Sequence, residues 1–267
     1  MKKLFIFLFL ILYSFGFSQV KLLSWNIENF GKSKSNAEIA YIATQLNKYD
    51  VVALQEVVAG YGGAQAVARL ADELNRKGTK WDYTISDPTT STPSKSERYA
   101  FLWKSSIIKK IGKAWLEKKY ASVMEREPYL CTFEYSKKQF TVVSFHAITK
   151  SKQPEREIKY FNYFPSAYPK LNLIFAGDFN CSQSHSVFDP LRKIGYASTL
   201  VNQKTSLKRS CKNGVCLASE YDNLFFSKSK IRKLNSGVIP FYQNFQSLKE
   251  ARTISDHCPI WMEFSLN

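Results

Sequence analysis

The stretch Leu171-Asn172-Leu173-Ile174-Phe175-Ala176-Gly177-Asp178-Phe179-Asn180 reads as a buried strand that ends on two polar side chains. Within the strand expected over 171–176, the apolar run 173–176 is too short for a helix and is stopped by a glycine, as a core strand is. The same pattern recurs along the chain. Strands are expected over 20–26, 51–55, 99–103, 129–135, 140–145, 223–226 and 259–264. Asn26 ends the first, Gln55 and Glu56 end the second, and His146 follows 140–145. Tyr221 and Asp222 precede 223–226, and Ser255, Asp256 and His257 precede the last. Singly, each of these is an ordinary turn residue. Six such sites in one chain instead point to strand ends converging on a shared edge, where sheets commonly carry active sites.

Helices are expected over 36–47, 63–76 and 155–164, with Asn36 as an N-cap and Ile39, Ile42 and Leu46 on one face. Residues 86–97, rich in Ser, Thr, Pro and Lys, read as a loop. Short connections between several strands imply antiparallel pairs within mixed sheets. The outcome is an α/β (α+β) chain, sheets covered by helices. No linker or repeat divides it, and 45% apolar content suits one core.

Lys2 and Lys3 followed by an uncharged run from Leu4 to Val20 form a secretory leader, with Gly16 and Ser18 suited to cleavage after residue 18. A membrane anchor is the alternative, but the run is short against the roughly 20 residues that span a bilayer. Residues 19–267 are then the working domain, placed in the periplasm or outside the cell. Losing Lys2 and Lys3 lowers the formal net charge from +16 to +14. Basic clusters at Lys109, Lys110 and Lys113, at Lys204, Lys208, Arg209 and Lys212, and at Lys228, Lys230, Arg232 and Lys233 favour a polyanion such as nucleic acid or an acidic lipid surface. Of five cysteines, Cys131 and Cys258 lie in strand-like sequence and read as buried apolar groups. Cys181, Cys211 and Cys216 are the disulfide candidates: either Cys211 pairs with Cys216, or Cys181 pairs with one of them.

The strand-end residues suit phosphodiester hydrolysis, which needs a hard cation, an activated water, charge neutralisation and a proton for the leaving oxygen. Glu56, Asp256 and Asn26 are oxygen ligands of the kind Mg²⁺ accepts. Two of the three histidines, His146 and His257, stand at strand ends and titrate near neutrality. Zinc-type spacings of His or Cys are not evident.

Ser24-Trp25-Asn26-Ile27, Leu54-Gln55-Glu56-Val57, Gly177-Asp178-Phe179-Asn180 and Ser255-Asp256-His257-Cys258-Pro259 together resemble the endonuclease/exonuclease/phosphatase superfamily, in order and across the whole domain. Glu97-Arg98-Tyr99, Arg126-Glu127-Pro128 and Phe145-His146-Ala147 resemble its deoxyribonuclease I branch rather than the abasic-site endonucleases. The resemblance implies a four-layer sandwich, two mixed β-sheets face to face with helices outside. It implies His257 as general base oriented by Asp222, and His146 as general acid paired with Glu97. It assigns the cation to Glu56, Asn26 and Asp256, with Mg²⁺ or Mn²⁺ as the ion and Ca²⁺ as an auxiliary. Asp178 and Asn180 orient nucleophile and phosphate, and Arg126 neutralises a phosphate oxygen, making Arg126 and Asn180 substrate contacts.

The substrate so implied is DNA, with RNA as a second choice, cut by a monomer without a membrane anchor. Three positions depart from the branch. Lys95 and Val58 replace a tyrosine and an arginine that grip the minor groove, and Glu28 replaces a DNA-contacting arginine. A lipid or inositol-phosphate phosphodiesterase on the same fold, and an inactive basic nucleic-acid-binding protein, are the competing readings.

Overall fold

The computed structural model describes residues 19–92 and 95–267; the expected leader at 1–18 lies outside them. The first half of the chain forms β1 (Val20–Phe30), α1 (Asn36–Leu46), β2 (Val51–Val58), α2 (Tyr61–Asn75), β3 (Trp81–Ile85) and β4 (Glu97–Lys104). There follow β5 (Lys109–Leu116), β6 (Tyr129–Tyr135), β7 (Lys138–His146), α3 (Glu155–Ile158), α4 (Phe164–Ala167) and β8 (Leu173–Asp178). The remainder is α5 (Asp189–Lys193), β9 (Tyr196–Ser198), β10 (Leu207–Lys212), β11 (Val215–Leu217), β12 (Asp222–Ser227), β13 (Ile231–Val238), α6 (Leu248–Ile254) and β14 (Ile260–Leu266).

Two six-stranded sheets result, ordered β13-β14-β1-β2-β4-β3 and β5-β6-β7-β8-β12-β9. Each is mixed: β1 with β2 and β7 with β8 run parallel, and the other pairs run antiparallel. The period-2 alternation of a strand sorts the side chains into layers. In β1, Val20 and Leu22 pack between the sheets, whereas Leu23, Trp25 and Ile27 pack under α1 and α2. In β8, Ile174 and Ala176 face the other sheet, and Leu173 and Phe175 face the helices outside. Burying strands on both faces makes them continuously apolar, and gives the four layers that the sequence implied.

The same alternation builds the site. Each inward-facing row starts apolar and ends polar: Leu22 then Ser24 and Asn26, Phe101 and Tyr99 then Glu97, Val142 then Ser144 and His146. Ile174 and Ala176 lead to Asp178, and Phe226 and Leu224 lead back to Asp222. Polar ends therefore collect at one end of the inter-sheet layer.

Several expectations are corrected. Ser35, not Asn36, caps α1: it accepts from the Glu38 N–H while Glu38 reaches back to the Ser35 N–H. The helix expected over 155–164 is broken into α3, a 3-10 segment (Lys159–Tyr163) and α4, whose first turn holds Pro165. Edge strands β5 and β13 were not expected, because their lysines and exposed positions hide the alternation. Cys211 pairs with Cys216 across the Asn213-Gly214 turn, joining β10 to β11, and Cys181 is free and buried with Cys131 and Cys258. No helix of the described residues is long and apolar enough to cross a membrane.

Candidate active site

A cleft of about 550 Å³ opens at the polar end of the inter-sheet layer. Eight of the ten expected site residues line it, Glu56, Glu97, Arg126, His146, Asp178, Asn180, Asp256 and His257; Asn26 and Asp222 stand directly behind them.

Asp178 is the hub. Its Oδ2 lies 3.6 Å from His146 Nε2 and 3.5 Å from His257 Nε2, and accepts from Asn26 Nδ2 at 3.2 Å. Gly177 makes this possible, since its φ is +146° and a Cβ there would sit 1.9 Å from the Phe145 carbonyl oxygen. Any side chain would push β8 away from β7, which pairs His146 with Asp178 in register. Asn180 then adopts φ +48°, donating its N–H to Asp178 Oδ1 (2.8 Å) and Nδ2 to the Ala147 carbonyl (3.1 Å).

Each imidazole has a carboxylate behind it. His146 Nδ1 meets Glu97 at 2.9 Å, and His257 Nδ1 meets Asp222 at 2.8 Å. Burial by itself pushes His146 down, but Glu97 and then Asp178 outweigh it and raise it to about 9. His257 follows the same logic: burial opposes its charge, Asp222 and Asp178 favour it, and it ends well above its ordinary value. His146 is therefore charged at neutral pH in the metal-free protein, and His257 is pushed in the same direction.

Glu56 reaches the cleft through a distortion. Gln55 faces inward, donating to Ser144 Oγ at 2.8 Å, so strict alternation would turn Glu56 toward the helices. The register of β2 with β4 slips between Leu54 and Val57, and Glu56 takes φ +59°. A non-glycine residue in that region costs about 1–3 kcal/mol and persists where the surroundings or the function demand it. The bulge aims Glu56 back over the cleft, where Oε1 accepts from Asn26 Nδ2 at 3.0 Å.

The donor set here fits a hard cation. Asn26 Oδ1 is buried and accepts no hydrogen bond, an unused oxygen ligand among carboxylates. Burial raises the Glu28 carboxyl, and neighbouring Asp256 and Glu56 raise it further, so negative charge is crowded at this end. Asp178, Asp222 and His257 also bring ligand atoms within 4.8 Å of one another. There, however, the short His257–Asp222 contact already uses the imidazole Nδ1 and the carboxylate as hydrogen-bond partners.

Arg126 differs from expectation in its partners. Its Nε lies 3.0 Å from Glu97 Oε2 and donates to the Lys95 carbonyl, while Nη1 donates to the Ala147 carbonyl. It borders the cleft but is anchored by Glu97, so Glu97 serves two cations. Sequence reasoning missed Thr205, whose hydroxyl donates to Asp222 Oδ2 at 2.6 Å; a lone threonine in a loop gives no signal. It also missed the Tyr99 hydroxyl, which accepts from the His146 N–H at 3.2 Å. Lys95 borders the cleft and pairs with Glu125 at 3.3 Å, and Val58 lies 37% exposed on its rim. His185, outside the cleft, accepts from the Val187 N–H and pairs with Glu155 at 3.4 Å.

Comparison with known proteins agrees with this geometry. The model of the Endonuclease/Exonuclease/phosphatase family matches residues 23–257. A deoxyribonuclease of Thioalkalivibrio sp. (strain K90mix) is 27% identical over 98% of this chain and 75% of its own length. Deoxyribonuclease gamma of Rattus norvegicus is 27% identical over 94% of this chain and 86% of its own. Among solved structures, D. rerio TDP2 complexed with a single-strand DNA product superposes with a TM-score of 0.66 at 16% identity, over 93% of this chain and 99% of that one. A mannosyl-6-phosphatase of Bacteroides thetaiotaomicron gives 0.66 at 17% identity, over 92% of this chain and 99% of that one. The run of strand-end residues, the four layers and the family match together make the chain a member of the endonuclease/exonuclease/phosphatase family, in its deoxyribonuclease I-like branch.

Proposed function

We propose that this protein is an exported, divalent-metal-dependent endonuclease that hydrolyses phosphodiester bonds in DNA. Family membership and the deoxyribonuclease relatives support a phosphodiester hydrolase. The observation that carries the finer reading is the pair of imidazoles, each backed by its own carboxylate and each presenting Nε2 to Asp178. One group removes a proton and the other supplies one, on either side of a single phosphorus.

His257 Nε2 takes a proton from the attacking water, with Asp222 holding Nδ1–H and stabilising the imidazolium that forms. Asp256 is among the groups that keep His257 protonated, so neutralising Asp256 favours the base form. Asp178 and Asn180 hold the water and a phosphate oxygen. As the new oxygen–phosphorus bond forms, the bond to the sugar oxygen breaks, and His146, charged at neutral pH, gives that oxygen its proton. Arg126 faces the developing negative charge from the Glu97 side. A divalent cation held by Glu56, Asn26 and Asp256 would supply further neutralisation of phosphate charge. Export rests on the leader-like residues 1–18 and agrees with the Cys211–Cys216 bond, which suits an oxidising compartment.

The test is incubation of the purified protein with plasmid DNA, RNA and sphingomyelin, with Mg²⁺, Mn²⁺ or excess EDTA. Nicking of plasmid, abolished by EDTA and restored by Mg²⁺, is expected. Full activity in EDTA, or preference for sphingomyelin, would overturn the reading.

A further inference from the structure

A second cavity of about 750 Å³ lies beside the catalytic cleft. Three chain segments contribute to both: Thr92 and Lys95, Glu125 and Arg126, Ile148 and Thr149, the first of each pair lining the cavity and the second the cleft. The Lys95–Glu125 ion pair, 3.3 Å long, stands in the shared wall.

The cavity is lined by two cations and two carboxylates, of which only the cations are exposed. Lys152 and Arg156 line it, both exposed, and neither forms an ion pair among the described residues. Lys152 lies near Lys95, whose like charge lowers its pKa, on the side of the cavity that adjoins the cleft. Of the facing carboxylates, Glu125 is engaged by Lys95. Glu157 is buried and accepts from the Glu125 and Ile148 N–H groups at 2.6 and 2.9 Å. Both carboxylates are thus held by other partners, and neither forms an ion pair with Lys152 or Arg156 among the described residues. Val123 and Ile148 also line the cavity, so one space offers cations for an anionic group and apolar surface for a ring.

We propose that this cavity binds the nucleotide next to the scissile bond, with Lys152 and Arg156 contacting its phosphate and Lys95 bridging it to the cleft. The proposal rests on the phosphodiesterase reading above and supplies a grip in place of the missing groove-inserting side chains. A strand entering the cleft would then be held at two successive phosphates, by backbone contacts that carry no base preference.

The test uses the full-length mature protein and the double variant Lys152→Ala/Arg156→Ala. Lys77→Ala/Lys80→Ala, exposed at the opposite end of the β3–β4 pair, is the charge-matched control. Binding of a fluorescent single-stranded octanucleotide is measured in EDTA, and hydrolysis of an octanucleotide and of bis(p-nitrophenyl) phosphate in Mg²⁺. The double variant should lose about tenfold in octanucleotide affinity, as expected for charge-assisted hydrogen bonds. Its salt dependence should be shallower by about two counterions. KM for the octanucleotide should rise with kcat kept, and the small diester, which cannot reach the second cavity, should be cleaved as before. Unchanged octanucleotide binding, an equal loss in the Lys77/Lys80 control, or equal impairment on both substrates would each overturn the proposal. Absence of hydrolysis by the wild type on either substrate would instead reject the phosphodiesterase reading, and the EDTA binding arm would still decide the pocket.

Discussion

Each histidine–carboxylate pair joins the two sheets, His146 and Asp222 from one and Glu97 and His257 from the other, and the pairs look alike, but their carboxylates keep different company. Glu97 is shared between His146 and the guanidinium of Arg126. Asp222 is shared between His257 and the neutral hydroxyl of Thr205. Arg126 pulls the His146 pKa down from what Glu97 alone would set, and no cation stands among the leading influences on His257. The difference shows how one fold gives two imidazoles separate duties: the partner of the carboxylate, rather than the carboxylate, distinguishes them.

The largest effects should come from removing the rings. His146→Ala and His257→Ala should each lower turnover on plasmid DNA by roughly 10² to 10⁴, the usual worth of a positioned acid or base. His185→Ala should be nearly silent. An essential His185 with a dispensable His146 would undo the assignment.

Next come the carboxylates. Asp222→Asn and Glu97→Gln should each cost about 10- to 100-fold in kcat, from loss of a charge-assisted hydrogen bond. They should part company in stability. Glu97→Gln strands Arg126, whose side chain is only 11% exposed, and should lower unfolding free energy in urea by about 3 kcal/mol. Asp222→Asn keeps a hydrogen-bonding group for Thr205 and should cost much less. Equal losses would show that Arg126 does not depend on Glu97.

A third contrast lies in pH. The folded pKa of His146, about 9, is above its ordinary 6.5, so its contribution to stability is complete below pH 6.5. That contribution is lost as pH rises through 9, and amounts to on the order of a few kcal/mol. Thermal melts in EDTA should therefore fall between pH 6.5 and 9.5, and His146→Gln should flatten part of the slope. His257 contributes a slope of the same sign, so only the double variant should remove most of it. A wild-type melt independent of pH over that window would contradict the site electrostatics.

The smallest effect is expected at Thr205. Thr205→Val keeps the volume but removes a donor to Asp222, costing about 1 kcal/mol, read as a several-fold fall in kcat with little change in KM. The effect should vanish in an Asp222→Ala background, as a double-mutant cycle would show.

Much of this molecule was legible from its sequence, for physical reasons. Strands buried on both faces must be largely apolar, so 129–135 and 171–176 announced themselves, and the polar residues ending such strands marked the cleft. The N-cap at Ser35 and the edge strands β5 and β13 were hidden, because a cap shifts by one residue without changing the apolar face, and solvent-facing strands need no apolar alternation.

The sequence by itself determined the residue types at the strand ends, and with them the chemistry on offer, since local alternation fixes which side chains face inward. Tertiary structure alone decided the rest. It chose Cys216 over Cys181 as the partner of Cys211, because a two-residue turn brings their Cα atoms to 4.2 Å. It turned Glu56 into the cleft through a bulge against β4, and brought Thr205 to Asp222 and Arg126 to Glu97. Those contacts join residues 17 to 41 positions apart in the chain, where no local preference acts and only the packing of two sheets sets the distance.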